Sequence, residues 1–170
     1  MEYALPLLIL VVTALAVYAI IKTNPARGKA APLAHGAPAP YLPQLPAAAP
    51  ALHWSDGGRF LVEVVNESKY QTVLKELAGA HGDQPAAAPY LATLVPDDGN
   101  PYESAAVIVF LGGRMVGQLA PKEAQRFRQR LNFKEAAGQP TTCDAQVRGG
   151  GLWQGKRLAY VAVLDLEPLE

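Results

Sequence analysis

Tyr3 to Ile21 is a run of 19 residues without a single charge. At about 1.5 Å of rise per helical residue, such a run matches the roughly 30 Å hydrocarbon core of a bilayer. A segment of this kind has no place on the surface of a small globule, so it divides the chain before any other feature does. Tyr3 and Tyr18 stand near its ends, where amphipathic rings favour the interface. Pro6 falls in the first turn or two, where a missing N–H costs least. These features predict a transmembrane anchor over residues 1–22, with residues 3–21 in contact with the lipid bilayer. A cleaved signal peptide is the alternative, with Ala14 and Ala16 as small residues before a cut. Against it, no Lys or Arg precedes the run and Lys22 follows it directly. Glu2 lies on one side and Lys22, Arg27 and Lys29 on the other. The positive-inside rule then predicts a single-pass protein of the inner or cell membrane with its folded domain in the cytoplasm.

Residues 23–58 change character. The stretch "APLAHGAPAPYLPQLPAAAP" is rich in Pro, Ala and Gly. Repeated proline blocks helix and sheet, and alanine is too small to build a core. The composition predicts a disordered, partly extended linker. The remainder, 59–170, is long enough for one small domain. It carries 12 Lys and Arg against 13 Asp and Glu. A domain without excess cation is no general polyanion binder, because non-specific nucleic-acid affinity rests on phosphate neutralisation. Any nucleic-acid site must be local.

The period of the apolar residues outlines that domain. "RFLVEVV" is rich in β-branched residues and reads as a strand. In "ESKYQTVLKELAG", Tyr70, Val73, Leu74 and Leu77 recur at helical spacing, with Ser68 as N-cap and Gly79 as the stop. "AHGDQPAAAP" reads as a loop, "YLATLVP" as a short strand and "AAVIVFL" as a buried one. "GGR" turns the chain into the return strand "MVGQLA". "PKEAQRFRQRL" is the second helix, with Pro121 in its first turn and Ala124, Phe127 and Leu131 facing inward. Two last strands, "TTCDAQVRG" and "KRLAYVAVLDL", are joined by "GGLWQG". The expected fold is mainly β with two short helices, a small, partly closed β-barrel of the OB or SH3 kind.

No nucleophile elbow, phosphate loop, zincin helix or dinucleotide fingerprint is present, which gives no motif for an enzyme, a cofactor or a metal. Cys143 is the single cysteine, and His35, His53 and His81 all fall in segments that read as linker or loop. A core thiol is therefore the expectation for Cys143, and a zinc site has no ligand pair. Asp97, Asp98 and Glu103 flank Asn100, but not in the register of a calcium loop. Lys122, Arg126 and Arg130 recur every four residues, with Arg128 nearby. They make either a solvated face or a basic stripe that meets phosphates or an acidic surface. Trp153 sits between glycines, either stacking on a base or partner or folding back over the barrel end.

"LVPDDGNPYESAAVIVFLGGRMVGQLAPKEAQRF" resembles the HIRAN domain family. The family shows an Asn-Pro element followed by Ala-Val-x-Val, then a strand carrying Val-Gly-x-Leu, then a helix. Asn100, Pro101, Tyr102, Ala106, Val107 and Val109 match, as do Val116, Gly117 and Leu119. The likeness covers about Arg59 to Leu169. It implies a modified OB-like barrel that binds nucleic acid and grips the 3′ end of single-stranded DNA. Carried over, Tyr102 is the stacking ring, Glu103 the acceptor for the free 3′ hydroxyl, and Asn100 a shaper of the loop or a backbone contact. Lys69, Tyr70 and Gln118 stand where the family places further ligand-facing residues. Glu103 replaces the usual Asp, Ala105 the usual Asn, Lys69 an aromatic, and Gln118 a cationic or histidine side chain. The alternative is a non-catalytic protein-interaction or scaffold module tethered at the membrane, in which the motif persists because it makes the turn.

Overall fold

The structure, a computed structural model, describes residues 41–168 together with Thr13, Leu15 and Tyr18, which are helical. The predicted anchor and the first half of the predicted linker otherwise lie outside the described residues. Among the described residues, no helix is long and apolar enough to cross a membrane. Tyr41–Glu170 makes one compact unit.

That unit is mainly β, with two short helices and a sheet curled into a half-barrel. In chain order its elements are β1 (His53–Trp54), β2 (Val62–Glu63), a 3-10 turn (Glu67–Tyr70), α1 (Gln71–Ala78), β3 (Ala86–Pro96), β4 (Val107–Leu111), β5 (Arg114–Gln118), α2 (Pro121–Phe133), β6 (Thr141–Gly149), β7 (Leu152–Trp153), β8 (Lys156–Arg157) and β9 (Tyr160–Leu164). The main sheet runs β2-β9-β6-β3-β4-β5, and β1 joins β6 in parallel. β7 and β8 form a separate ribbon.

The two edges of the curled sheet meet. Just beyond β2, Val65 donates its N–H to the Gln118 carbonyl at 2.8 Å and accepts from the Gln118 N–H at 3.1 Å. The approach requires glycine next door. A Cβ on Gly117 would lie 2.3 Å from the Val65 carbonyl oxygen and 2.5 Å from Val64 Cγ1, and Gly117 has φ +149. Both the contact and the backbone angle exclude a side chain. The turn before β5 is a second glycine device: Gly112 and Gly113, at φ +54 and +77, give the backbone that a two-residue hairpin needs.

β4 is buried along its whole length because it faces two apolar clusters. Val107, Val109 and Leu111 enter the main core with Leu94, Leu74, Phe127 and Leu164. Ile108 and Phe110 point the other way, onto Ala106, Val95 and Met115. On α2 the expected inner face of Ala124, Phe127 and Leu131 is buried. α1 contributes Leu74 and Ala78, and Gly79 ends it with φ +68 and a bond from its N–H to the Glu76 carbonyl.

Four expectations are corrected. Residues 41–58, assigned to the linker, belong to the compact unit. β1 fills the side of β6 that β9 leaves open, pairing His53 with Thr142 and Trp54 with Cys143, and Trp54 meets the Phe127 ring edge-on at 5.6 Å. His53 accordingly lies on a strand, with Nδ1 3.1 Å from Thr142 Oγ1. The segment after β1 is held by buried Asp165, which accepts from Ser55 Oγ at 2.7 Å and from the Gly58 N–H at 2.8 Å. Burial alone would raise the Asp165 pKa. The bonds from Ser55 and from the Asp56, Gly58 and Arg59 backbones outweigh it and hold the carboxyl below its ordinary range. Ala86–Pro89, expected as loop, opens β3, because these residues pair with Gly149 to Gln146 of β6. Ser68 lies within the 3-10 turn and is not its cap. Asn66, at φ 64, precedes that turn without a side-chain capping bond.

Cys143 is fully buried, and burial first, with Asp165 and Asp144 adding to it, pushes its thiol up to about 12. It is a core residue, not a nucleophile.

The closure gives the first prediction. Gly117→Ala should lower stability by about 2–4 kcal/mol, since overpacking and backbone strain add. Gly112→Asn should be near neutral, because Asn tolerates the turn backbone. Urea denaturation of the two variants checks the contrast.

Candidate functional site

The closure of the sheet also assembles the site. Ile108 lies opposite Gln118, and Phe110 opposite Met115, so these four side chains share one face of the β4–β5 pair. The second apolar cluster is therefore a floor, and Gln118 stands at its edge. The chain leaving the Val65–Gln118 bridge forms the 3-10 turn over the same face. Tyr70 ends that turn, and its hydroxyl reaches Met115 Sδ at 3.3 Å. Burial raises the Tyr70 phenol pKa. Tyr70 is half-buried, a lid on the floor more than an open platform, whereas Lys69 beside it is exposed.

The loop from Asp97 to Ala106 makes the other wall. Asp97 N–H donates to the Ala106 carbonyl at 3.0 Å and closes its base. Asn100 shapes its tip. Its Oδ1 accepts from the Tyr102 N–H at 3.0 Å and the Glu103 N–H at 3.1 Å, and its Nδ2 donates to Asp97 Oδ2 at 3.1 Å. Every hydrogen-bonding direction of Asn100 that matters to the turn is used within it, which is why this turn calls for Asn. Tyr41 donates to the other Asp97 oxygen. That hydrogen bond, together with burial and the carboxylate's charge, raises the Tyr41 pKa.

Two side chains emerge from this fixed loop. Tyr102 points into solvent and is 85% exposed. Glu103 is half-buried, with Oε2 held at 2.9 Å by the Gln118 amide. Its other oxygen is left as an acceptor. Thus Glu103 of the loop is joined to Gln118 at the edge of the floor and Tyr70 covers the floor at Met115, while Tyr102 and Lys69 stand exposed next to them in sequence.

The basic stripe is less uniform than its spacing implies. Lys122 and Arg126 are exposed on α2. Arg130 faces Glu167 at 3.2 Å. Arg128 does what spacing alone could not reveal: it turns away from solvent and pins the loop. Its Nε donates to the Ala105 carbonyl at 3.0 Å and its Nη2 to the Ala106 carbonyl at 2.8 Å. Nη1 meets Asp98 at 2.5 Å, but that carboxylate is 72% exposed, so water screens the pair. The two carbonyl bonds matter more, since the Ala106 backbone is buried. Among the described residues, no group of three or more His, Cys, Asp or Glu is placed to hold a metal ion.

No protein-family model matches the chain, and no curated protein or solved structure matches it.

Arg128→Ala should therefore speed amide hydrogen exchange across residues 97–106 and lower stability by about 1–3 kcal/mol. Lys122→Ala, on the same helix, should leave exchange in the loop unchanged.

Proposed function

We propose that this chain is a nucleic-acid-binding module held at a membrane by residues 3–21, and that the Asp97–Ala106 loop receives the 3′ end of a single strand. In this reading the half-barrel is an OB-like barrel of the HIRAN kind. The observation that carries the proposal is Tyr102. Its ring is almost wholly exposed, while the backbone on either side of it is fixed by Asn100 and Arg128. A loose loop must be ordered when it binds; the backbone of this one is held already, and that part of the entropic cost of binding falls accordingly. Base stacking on such a ring contributes about 1–3 kcal/mol.

Glu103 supports the same reading. Gln118 fixes one carboxylate oxygen, and the other can accept a hydrogen bond from a terminal hydroxyl. A 3′ phosphate at that position would set two anions against each other. Lys69 and Lys122 supply exposed cations for the backbone.

The second reading is a protein-interaction or scaffold module. It is favoured by the way Asn100 and Arg128 are occupied inside the loop, and by the ion pair that removes Arg130 from the stripe. On that account the motif is a turn and nothing else.

Fluorescence anisotropy on residues 41–170, with single-stranded oligonucleotides bearing a free or a phosphorylated 3′ end, separates the two. The first reading expects binding at low salt, weakened by the 3′ phosphate, and weakened about 10- to 100-fold by Tyr102→Ala. Because the ring is exposed, that substitution should leave the urea midpoint unchanged. No binding at low salt removes the nucleic-acid reading. Equal binding of both ends retains nucleic acid and removes end recognition.

A further inference from the structure

Away from this site, Leu152 to Ala159 are eight consecutive exposed residues. They form the β7–β8 ribbon, in which Leu152 pairs with Arg157 and Trp153 with Lys156 across a turn at Gln154 and Gly155. Trp153 is 65% exposed and does not fold back over the barrel. Leu152 and Leu158 are exposed with it.

The base of the ribbon is rigid. Leu152 N–H donates to the Asp83 carbonyl at 3.0 Å and Leu158 N–H to the Gly151 carbonyl at 2.9 Å. Arg157 Nη1 bridges the Gly82 and Gly150 carbonyls at 3.0 and 2.6 Å. Gly150 lies under the Tyr160 ring, where a Cβ would come within 2.1 Å. The fold therefore projects a tryptophan and two leucines into solvent on a firm mount.

Along this stretch of the chain the charge has one sign. From Gly149 to Leu164 there is no carboxylate, while Lys156 and Arg157 lie within the ribbon. Beside its base, Lys75, His81, Arg157 and Tyr160 line a recess of about 240 Å³. Asp83, 3.5 Å from Arg157, is the acidic group at its rim. An exposed Trp with flanking Leu, paired across the ribbon with Lys156, matches a lipid interface. The ring sits at headgroup level, the aliphatic chains go below it, and the cations meet phosphates.

We propose that the β7–β8 ribbon is a membrane-contact element that seats Trp153, Leu152 and Leu158 in the interface of an anionic bilayer, with Lys156 and Lys75 meeting lipid phosphates. The proposal rests on the reading of residues 3–21 as an anchor, which brings the domain to a bilayer.

The test uses the full chain mixed with vesicles of phosphatidylcholine alone or with phosphatidylglycerol, carrying spin-labelled lipid as a shallow quencher. Trp54 and Trp153 are the only tryptophans, so Trp153→Phe assigns the signal. The expected result is a blue shift and quenching in the anionic vesicles that vanish in Trp153→Phe and weaken in Lys156→Glu. Flotation at about 1 M salt, where surface charge is screened, reads the anchor separately. If the chain floats but Trp153 emission is unquenched in both lipid mixtures, the ribbon proposal is overturned and the anchor stands. If the chain does not float at high salt, the anchor reading fails, and low-salt quenching by the anionic vesicles still decides the ribbon in either direction. Quenching of Trp153 by a single-stranded oligonucleotide, with none by lipid, would reassign the ribbon to nucleic acid and also overturn the proposal.

Discussion

The crossing of Gly117 beneath the Val64–Val65 backbone is the contact on which the arrangement depends. It joins the two edges of the sheet through the paired bonds between Val65 and Gln118. Closing an edge satisfies backbone groups that would otherwise template aggregation. It also sends the chain after Val65 over the outer face of β4 and β5, where it becomes the 3-10 turn carrying Lys69 and Tyr70. The same closure sets Gln118 at the rim, in position to hold Glu103. One glycine with a forbidden Cβ thus links the curvature of the sheet to the composition of its candidate site.

The loop wall is built on a different principle. Its ten residues from Asp97 to Ala106 bury little apolar surface, so hydrogen bonds must fix it. Asn100 supplies them from within and Arg128 from α2. A guanidinium is well suited to that task, because its planar fork serves two adjacent carbonyls and a carboxylate together. The cost is one cation withdrawn from the surface. Arg128 holds the loop that presents Tyr102, and it does so by turning away from the solvent beside the basic stripe.

Much of this was legible in the residues, and the limits have physical causes. The inner face of α2 could be read because Ala124, Phe127 and Leu131 repeat at the helical period and the tertiary fold agrees with it. The β4–β5 hairpin could be read because two glycines leave little choice of turn. Ala86 to Pro89 could not, since alanine and proline carry no strand signal and only pairing with β6 extends them. His53–Trp54 was masked in the same way by a Pro/Ala-rich neighbourhood, although Trp54 had to find a partner and found Phe127. For the candidate site, Asn100, Tyr102 and Glu103 stand out in the sequence through a motif, and the fold leaves Tyr102 exposed on the loop. Arg128 was not distinguishable from its neighbours, because which arginine of a stripe turns inward depends on carbonyls brought there by the fold.

We propose that the Asn-Pro loop and the rim beside it form a binding surface for the end of a single strand. Mapping amide chemical shifts on isotope-labelled residues 41–170, during titration with a short oligonucleotide bearing a free 3′ hydroxyl, tests it most directly. The account predicts that the largest changes fall at Tyr102, Glu103, Gln118 and Lys69, with the buried face of α2 silent. An unchanged spectrum, or changes confined to the β7–β8 ribbon, would contradict it.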